Sequence, residues 1–244
     1  MKTVVVIPAR YQSSRLPGKM LYDLCGKPML WWVYQQAVNA DAVDGVVIAT
    51  DSELIKNECE KFGAIVVMTS DKHKCNIERI QEVAQYIDSD YYISVNGDEP
   101  LIESEIISKV IPNHADNSRP VVAGLMREFT DPVEVVDPGN IKIVVNDSGE
   151  LMYASRNPVP YPHRSAQFSY KKYVGIECYN KSALDFYVTT PMPSIEYIED
   201  VAFLRFVEHH INVKYTLVKS NSLSVDTKRD LEKVEKILKN RKTL

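Results

Sequence analysis

Residues 4–19 read Val-Val-Val-Ile-Pro-Ala-Arg-Tyr-Gln-Ser-Ser-Arg-Leu-Pro-Gly-Lys, and this stretch decides the predicted fold. Its four opening β-branched residues suit a strand that is buried on both faces of a parallel sheet. Pro8 is expected to end that strand, because proline cannot donate to the ladder. The loop that follows carries the cations Arg10, Arg15 and Lys19. Cations beyond the carboxyl end of such a strand predict a phosphate-rich ligand, and the alternative is a solvated basic loop.

Strand and helix patterns then alternate along the first part of the chain. Helices are predicted at 29–40 and 53–62, the second closed by Gly63, and strands at 46–49 and 64–68. Such a βαβ series implies a parallel sheet with right-handed crossovers. Neither G-x-G-x-x-G nor G-x-x-x-x-G-K-[ST] occurs, so a Rossmann fingerprint and a Walker loop are both excluded.

A further predicted strand, 91–95, ends in Asn96-Gly97-Asp98-Glu99-Pro100. Adjacent carboxylates at the end of a strand are hard oxygen ligands of the kind that Mg²⁺ uses together with substrate phosphates and water. The same residues also form an ordinary turn signal, which is the alternative. The neighbouring basic loop favours the metal site.

The second half of the chain is less regular. A helix is predicted at 76–86, strands at 120–126, 141–145 and 173–179, a long amphipathic helix at 194–210, and a final helix at 228–238. Thr227 and Asp230 form a capping box for the last helix. The proline-rich segment 157–163 is either a mobile flap or a plain surface loop.

Composition limits the classes of function. The formal net charge of −4 argues against bulk nucleic-acid binding. The four cysteines are far apart and form no C-x-x-C pair, so neither a zinc ribbon nor a redox motif is supported. With no signal peptide and no long apolar run, the chain is expected to be cytoplasmic and not attached to a membrane.

The residues 8–19 and 26–29, together with Asn96-Gly97-Asp98-Glu99-Pro100 and Val225-Asp226-Thr227, resemble motifs of the CMP-Kdo synthetases, or 3-deoxy-manno-octulosonate cytidylyltransferases. The resemblance implies a single nucleotidyltransferase domain over residues 1–244. The implied fold is α/β, a Rossmann-like, mostly parallel sheet with a smaller acceptor-binding and dimerisation sub-lobe within about 120–215. It also implies CTP and a sugar acid as substrates, Mg²⁺ as cofactor, a homodimer, and a role in bacterial lipopolysaccharide or capsule synthesis.

The same resemblance assigns the site residues. The catalytic set is Arg10, Arg15, Lys19, Asp98 and Asp226, of which Asp98 and Asp226 bind the metal. The nucleotide-binding set is Pro8, Ala9, Arg10, Ser14, Arg15, Lys19, Asn76, Arg79 and Asp98. The acceptor-binding set is Asn96, Arg156, Tyr173, Gly175 and Glu199.

The chain departs from the family's motifs mainly where the acceptor should bind. The departures are Cys75-Asn76-Ile77 for Ser-Gly-Thr, Asn96 for Gln, Tyr173 for His, and Ala202-Phe203 for Glu-Gln. Because a site that hydrogen-bonds one substrate rejects analogues strongly, these changes either redirect the acceptor, to an amino derivative, a nonulosonic acid or a smaller acid, or reflect drift around Kdo. Two other readings stay open: a UTP- or dTTP-dependent sugar-phosphate pyrophosphorylase, and a nucleotide-binding protein without transfer activity.

Overall fold

The computed structural model describes residues 1–12, 16–164 and 167–241. Within them the strands are β1 (Thr3–Ala9), β2 (Asp23–Leu24), β3 (Lys27–Pro28), β4 (Gly45–Thr50), β5 (Ile65–Met68), β6 (Tyr91–Val95), β7 (Val122–Glu128), β8 (Lys142–Val145), β9 (Leu151–Ser155), β10 (Lys171–Tyr179) and β11 (Val213–Leu217).

The α-helices of the same residues are α1 (Met29–Val38), α2 (Glu53–Glu60), α3 (Asn76–Val83), α4 (Ser104–Ile107), α5 (Pro132–Val136), α6 (Lys181–Thr189), α7 (Ser194–Glu199), α8 (Leu204–Glu208) and α9 (Lys228–Arg241). Two short 3₁₀ turns cover Lys19–Leu21 and Ser108–Val110.

The central sheet has the strand order β11-β7-β10-β6-β1-β4-β5. Strands β6, β1, β4 and β5 run parallel, as the alternating strand and helix patterns predict, and β11 is parallel to β7. Strand β10 lies antiparallel between β6 and β7. Strands β8 and β9 extend the sheet from β10 as an antiparallel pair. The sheet is therefore mixed but mostly parallel.

Apolar side chains cover both faces of this sheet. Every residue of β1 is buried, and successive residues face alternate sides: Val5 and Ile7 join the apolar cluster with α1 and α4, whereas Val4 and Val6 join the cluster with α3, α6 and α8. A parallel strand that is covered on both faces needs such an uninterrupted apolar run. The strand passes through Pro8 to Ala9, so the expected end at Pro8 is wrong by one residue.

The predicted helix over 194–210 is also wrong. The segment forms two short helices, α7 and α8, because Asp200 adopts a left-handed conformation with φ of 51°. Apolar spacing predicts which side chains face the core but not a single residue that leaves the helical region. In the described residues no helix combines the length and the apolarity needed to span a bilayer.

Candidate active site

A cavity of about 1140 Å³ opens at the carboxyl ends of β1, β4 and β6. This edge is where ligands bind in open α/β sheets. Its described lining residues are Pro8, Arg10, Tyr11, Gln12, Pro17, Lys19, Met20, Asp51, Ser52, Glu53, Leu54, Asp71, Asn76, Asn96, Gly97, Asp98 and Asp226. The basic loop, the end of β6 and the segment before α9 thus meet around one space.

At the base of the cavity the Lys19 ammonium lies between two carboxylates. Its Nζ is 2.6 Å from Oδ2 of Asp98 and 3.0 Å from Oδ1 of Asp226, and it also donates to the Val225 carbonyl at 3.0 Å. Lys19 opens a 3₁₀ turn after Gly18, whose φ of 69° suits glycine. The structure thus brings together three predicted catalytic residues that are far apart in sequence.

The electrostatic balance at Lys19 favours its charged form. Burial by itself lowers the pKa of this ammonium, but the charges and hydrogen bonds of Asp98 and Asp226 outweigh burial and raise it above its ordinary value. A cation therefore already sits where the two carboxylates converge.

The adjacent carboxylates Asp98 and Glu99 have different environments. Asp98 faces the cavity, whereas Glu99 is buried and accepts hydrogen bonds from the Gly175 amide at 3.0 Å and the Ser222 hydroxyl at 2.6 Å. Burial raises the pKa of Glu99. A Cβ on Gly175 would lie 2.1 Å from Oε1 of Glu99, so only glycine fits there. Of the two acids, Asp98 alone is placed for a ligand.

The two carboxylates that hold Lys19 have the donor chemistry for Mg²⁺, which takes one or two protein carboxylates and completes its shell with phosphate oxygens and water. In the described residues no three His, Cys, Asp or Glu side chains converge, so a cage made only of protein ligands is not formed there. Asp98 and Asp226 fit a metal that is shared with a phosphate.

The structure positions some of the predicted residues of the basic loop at the cavity. Arg10 is exposed and lines the cavity beside Pro8, whereas Ala9 is fully buried in β1. The predictions for Ser14 and Arg15 concern residues outside the described ranges.

The two nucleotide-binding predictions on α3 fall in different places. Asn76 lines the cavity and donates through Nδ2 to Oδ1 of Asn96 at 3.1 Å. Arg79 lies beneath the cavity wall with 1% exposure, bonded to Thr69 and to Oδ2 of Asp51 at 2.8 Å. Arg79 therefore holds Asp51 in position, and almost none of its own side chain is exposed to a ligand.

The acceptor-side predictions form separate groups. Asn96 lines the cavity, and its backbone amide donates to the Gly175 carbonyl at 2.9 Å. Tyr173 packs against Phe203, with ring centroids 5.5 Å apart. These contacts join the acceptor-side departures in pairs, Asn76 with Asn96 and Tyr173 with Phe203.

Arg156 and Glu199 bind each other rather than the cavity. Glu199 accepts from Ser155, Tyr153 and the Arg156 amide, and the Arg156 guanidinium donates to the carbonyls of Glu199 and Asp200. These bonds lower the pKa of Glu199 against the effect of burial, which alone would raise it. The pair ties β9 to α7, and its acceptor role stays a prediction.

Sequence reasoning missed three acids of the cavity wall: Asp51, Glu53 and Asp71. Asp51 follows β4 directly. Because ligands bind at the carboxyl ends of parallel strands, this position alone could have identified Asp51 as a site residue. With Asp98 and Asp226 they give the described lining five carboxylates against two cations, Arg10 and Lys19. This excess of negative charge suits a polyphosphate only when further cations accompany it.

Comparisons with known proteins identify the family. A model of the cytidylyltransferase family matches residues 4–215. The 3-deoxy-manno-octulosonate cytidylyltransferase of Escherichia coli is 36% identical over 97% of this chain and 96% of its own length. The enzyme of the same name from Vibrio vulnificus is 39% identical over 98% of both chains.

Solved structures agree with this result. A CMP:2-keto-3-deoxy-manno-octonic acid synthetase complexed with CTP has a TM-score of 0.92 and 36% identity, covering 99% of this chain and 100% of that one. The inositol-1-phosphate CTP transferase of T. maritima, with a TM-score of 0.67, 17% identity, and coverage of 98% and 95%, shares the fold alone. The chain belongs to the 3-deoxy-manno-octulosonate cytidylyltransferase family and is a nucleotidyltransferase enzyme, which confirms the predicted family and fold class.

Proposed function

We propose that the chain transfers a cytidylyl group from CTP to 3-deoxy-manno-octulosonate or a closely related 2-keto-3-deoxy acid, giving the CMP-sugar and pyrophosphate. The observation that supports this most is the meeting of Lys19, Asp98 and Asp226 at the base of the cavity, in a chain of this family. The product would serve bacterial surface polysaccharide synthesis.

The reaction needs positioning and charge neutralisation more than covalent help from the protein. The acceptor's anomeric oxygen forms a bond to the α-phosphorus, the bond to pyrophosphate breaks, and the hydroxyl proton passes to solvent. Arg10 lines the cavity from the side of the basic loop, where it would stabilise the negative charge of the leaving pyrophosphate.

Asp98 and Asp226 would hold Mg²⁺, because their oxygens already converge on one cation. When bound, the metal neutralises charge at the α-phosphate and lowers the pKa of the attacking hydroxyl. Lys19 contacts both carboxylates and is therefore placed to hold them in position.

A second candidate differs only in the acceptor. The contacts between Asn76 and Asn96 and between Tyr173 and Phe203 show that changed positions pack on each other. Paired changes on one side of a site favour an altered acceptor, such as an amino derivative of Kdo or a nonulosonic acid.

The test is pyrophosphate release with CTP and Mg²⁺ across a panel of acids: Kdo, 8-amino-Kdo, sialic-type nonulosonates and small hydroxy acids. Asp98→Asn should reduce turnover at least about 100-fold, since it removes one of the two carboxylates that would hold Mg²⁺ at the phosphate. The matched control is Asp185→Asn, because Asp185 pairs with Lys181 on α6, outside the cavity lining. Full turnover by Asp98→Asn would contradict the metal assignment, and release from UTP but not CTP would contradict the nucleotide.

The homodimer is part of the same proposal. Large apolar side chains stand exposed in the range 120–215, including Met152, Tyr197 and Ile198 at 60–77% exposure. Exposed apolar side chains in the segment that the resemblance assigns to dimerisation favour a second copy of the chain as their partner. Sedimentation should give about twice the monomer mass of 27.8 kDa, and Ile198→Asp should shift the equilibrium to monomer. A wild-type monomer at high concentration would contradict the dimer.

The cytoplasmic location stays a prediction.

A further inference from the structure

We infer that Asn76 is a positioning residue for the acceptor and that it acts through the carboxamide of Asn96. The inference rests on the proposed function and deepens it, because it moves Asn76 from the nucleotide side of the site to the acceptor side.

The contact itself is the first observation. Asn76 is the first residue of α3, and its side chain crosses the cavity wall to the end of β6, where Nδ2 donates to Oδ1 of Asn96 at 3.1 Å. Both side chains line the cavity. A hydrogen bond between two cavity-lining amides, 20 positions apart in sequence, sets the position of one by the other.

The second observation is the environment of the other end of the Asn96 side chain. The Asn96 backbone amide donates to the Gly175 carbonyl at 2.9 Å, which fixes the main chain. Nδ2 of Asn96 lies over Gly175, 2.5 Å from the point that a Cβ there would occupy. With Oδ1 engaged by Asn76, Nδ2 is left as the hydrogen-bond donor of this carboxamide.

An N–H donor at this point suits the carboxylate of the acceptor acid, whose oxygens can only accept hydrogen bonds. If Asn76 were absent, the Asn96 carboxamide could turn and present its carbonyl instead, which repels such an oxygen. Asn76 therefore determines whether Asn96 attracts or rejects the acceptor.

The sequence gives an independent reason to couple the two positions. Both depart from the motifs that the chain resembles, which have Gly in place of Asn76 and Gln in place of Asn96. Glycine has no side chain to offer, and glutamine extends one methylene further than asparagine. In this chain the shorter amide of Asn96 is thus accompanied by Asn76, which holds it in position.

The test compares steady-state kinetics of wild type, Asn76→Ala and Asn76→Asp with CTP, Mg²⁺ and the best acceptor acid of the panel. Asn76→Ala removes the bond, and Asn76→Asp leaves only an acceptor, which turns the Asn96 carboxamide. Both should raise the acceptor KM roughly ten-fold, the worth of one hydrogen bond, and leave the KM for CTP within about two-fold of wild type. An unchanged acceptor KM, or an increase confined to CTP, would overturn the inference.

The matched control is Gln81→Ala, also on α3, whose amide donates to Asp185 at 3.0 Å and does not line the cavity. It should keep both KM values. Calorimetric CTP affinity equal to that of wild type shows that each variant is folded.

A rescue variant separates positioning from general damage. Asn76→Gly should raise the acceptor KM, and Asn76→Gly with Asn96→Gln should recover most of the loss, because the longer amide needs no support. Strictly multiplicative effects in this cycle would refute the coupling. If wild type releases no pyrophosphate with any acid, the proposed function fails along with the inference, whereas an active wild type with silent Asn76 variants refutes the inference alone.

Discussion

Replacing Glu177 by glutamine should stabilise the protein at pH 8 and change its stability little at pH 5. Glu177 lies in β10 with 7% of its surface exposed, on the face of the sheet covered by α3, α6 and α8. In the register of the sheet it stands opposite Ser94 of β6 and Gly124 of β7. The Tyr215 ring lies over Gly124, where a Cβ would be 2.7 Å from it.

The groups that face this carboxyl are hydroxyls. Those of Tyr173 and Tyr179 lower its pKa, but burial dominates and raises it from the ordinary 4.5 to about 7. The phenol pKa values of Tyr173, Tyr179 and Tyr215 are raised well above 10, so these groups stay neutral throughout the range considered. Glu177 is therefore a buried acid that keeps its proton near neutrality.

The sign and size of the effect follow from proton linkage. Between pH 4.5 and about 7 the native protein binds the proton that the unfolded chain has released, so the free energy of unfolding falls as pH rises. At about 1.36 kcal/mol for each pH unit, the total loss is about 3 kcal/mol and is complete above pH 7. Glutamine carries no titratable proton and escapes this loss.

Urea denaturation at pH 5, 6, 7 and 8 measures the effect. The stability of Glu177→Gln relative to wild type should rise by about 2.5 kcal/mol from pH 5 to pH 8, because part of the total loss lies below pH 5. Glu128→Gln, at the exposed end of β7, is the control and should track wild type throughout. Other titrating groups contribute to both proteins alike and cancel. A difference between variant and wild type that does not change with pH would refute the reasoning.

Three further predictions concern charge and close packing. Lys19→Met should lower the melting temperature, because Asp98 and Asp226 then repel each other without the ammonium between them. Adding 10 mM Mg²⁺ should raise the melting temperature of this variant more than that of wild type. Equal Mg²⁺ responses of the two proteins in differential scanning fluorimetry would count against a metal site on these carboxylates. Gly175→Ala should cost at least about 2 kcal/mol in urea denaturation, because its Cβ would collide with Glu99, and a neutral outcome would be inconsistent with that close approach. Arg205→Met should cost about 3–5 kcal/mol by stranding the buried Glu196, which it holds at 2.6 Å, and adding Glu196→Gln should recover part of the loss; no recovery would rule out the unpaired charge as the cause.

Local patterns were sufficient for the parallel half of the fold. The strands β1 and Tyr91–Val95 were predicted from residue type alone. A strand that is buried on both faces needs an uninterrupted run of largely apolar residues, and such a run is visible in the sequence. The capping box at Thr227 also formed: the Thr227 amide donates to Asp230 at 2.8 Å. These features depend on neighbours in sequence.

The features that were missed depend on contacts distant in sequence. The single left-handed residue Asp200, which divides α7 from α8, leaves no trace in the apolar spacing. Two contacts of α3 were also missed: Arg79 binds Asp51 at the end of β4, and Asn76 binds Asn96 at the end of β6. The convergence of Asp98 and Asp226 was predicted only through the family resemblance, since no spacing rule brings residues so far apart together.

The most direct test of the central claim is a phosphorus NMR spectrum of wild type with CTP, Mg²⁺ and Kdo. Attack at the α-phosphorus predicts a new phosphodiester resonance of a CMP-sugar that grows in step with inorganic pyrophosphate. Growth of CDP with a phosphorylated acid, or with inorganic phosphate from attack by water, would place the reaction at the γ-phosphorus and contradict the account, as would an unchanged CTP spectrum with every acid of the panel.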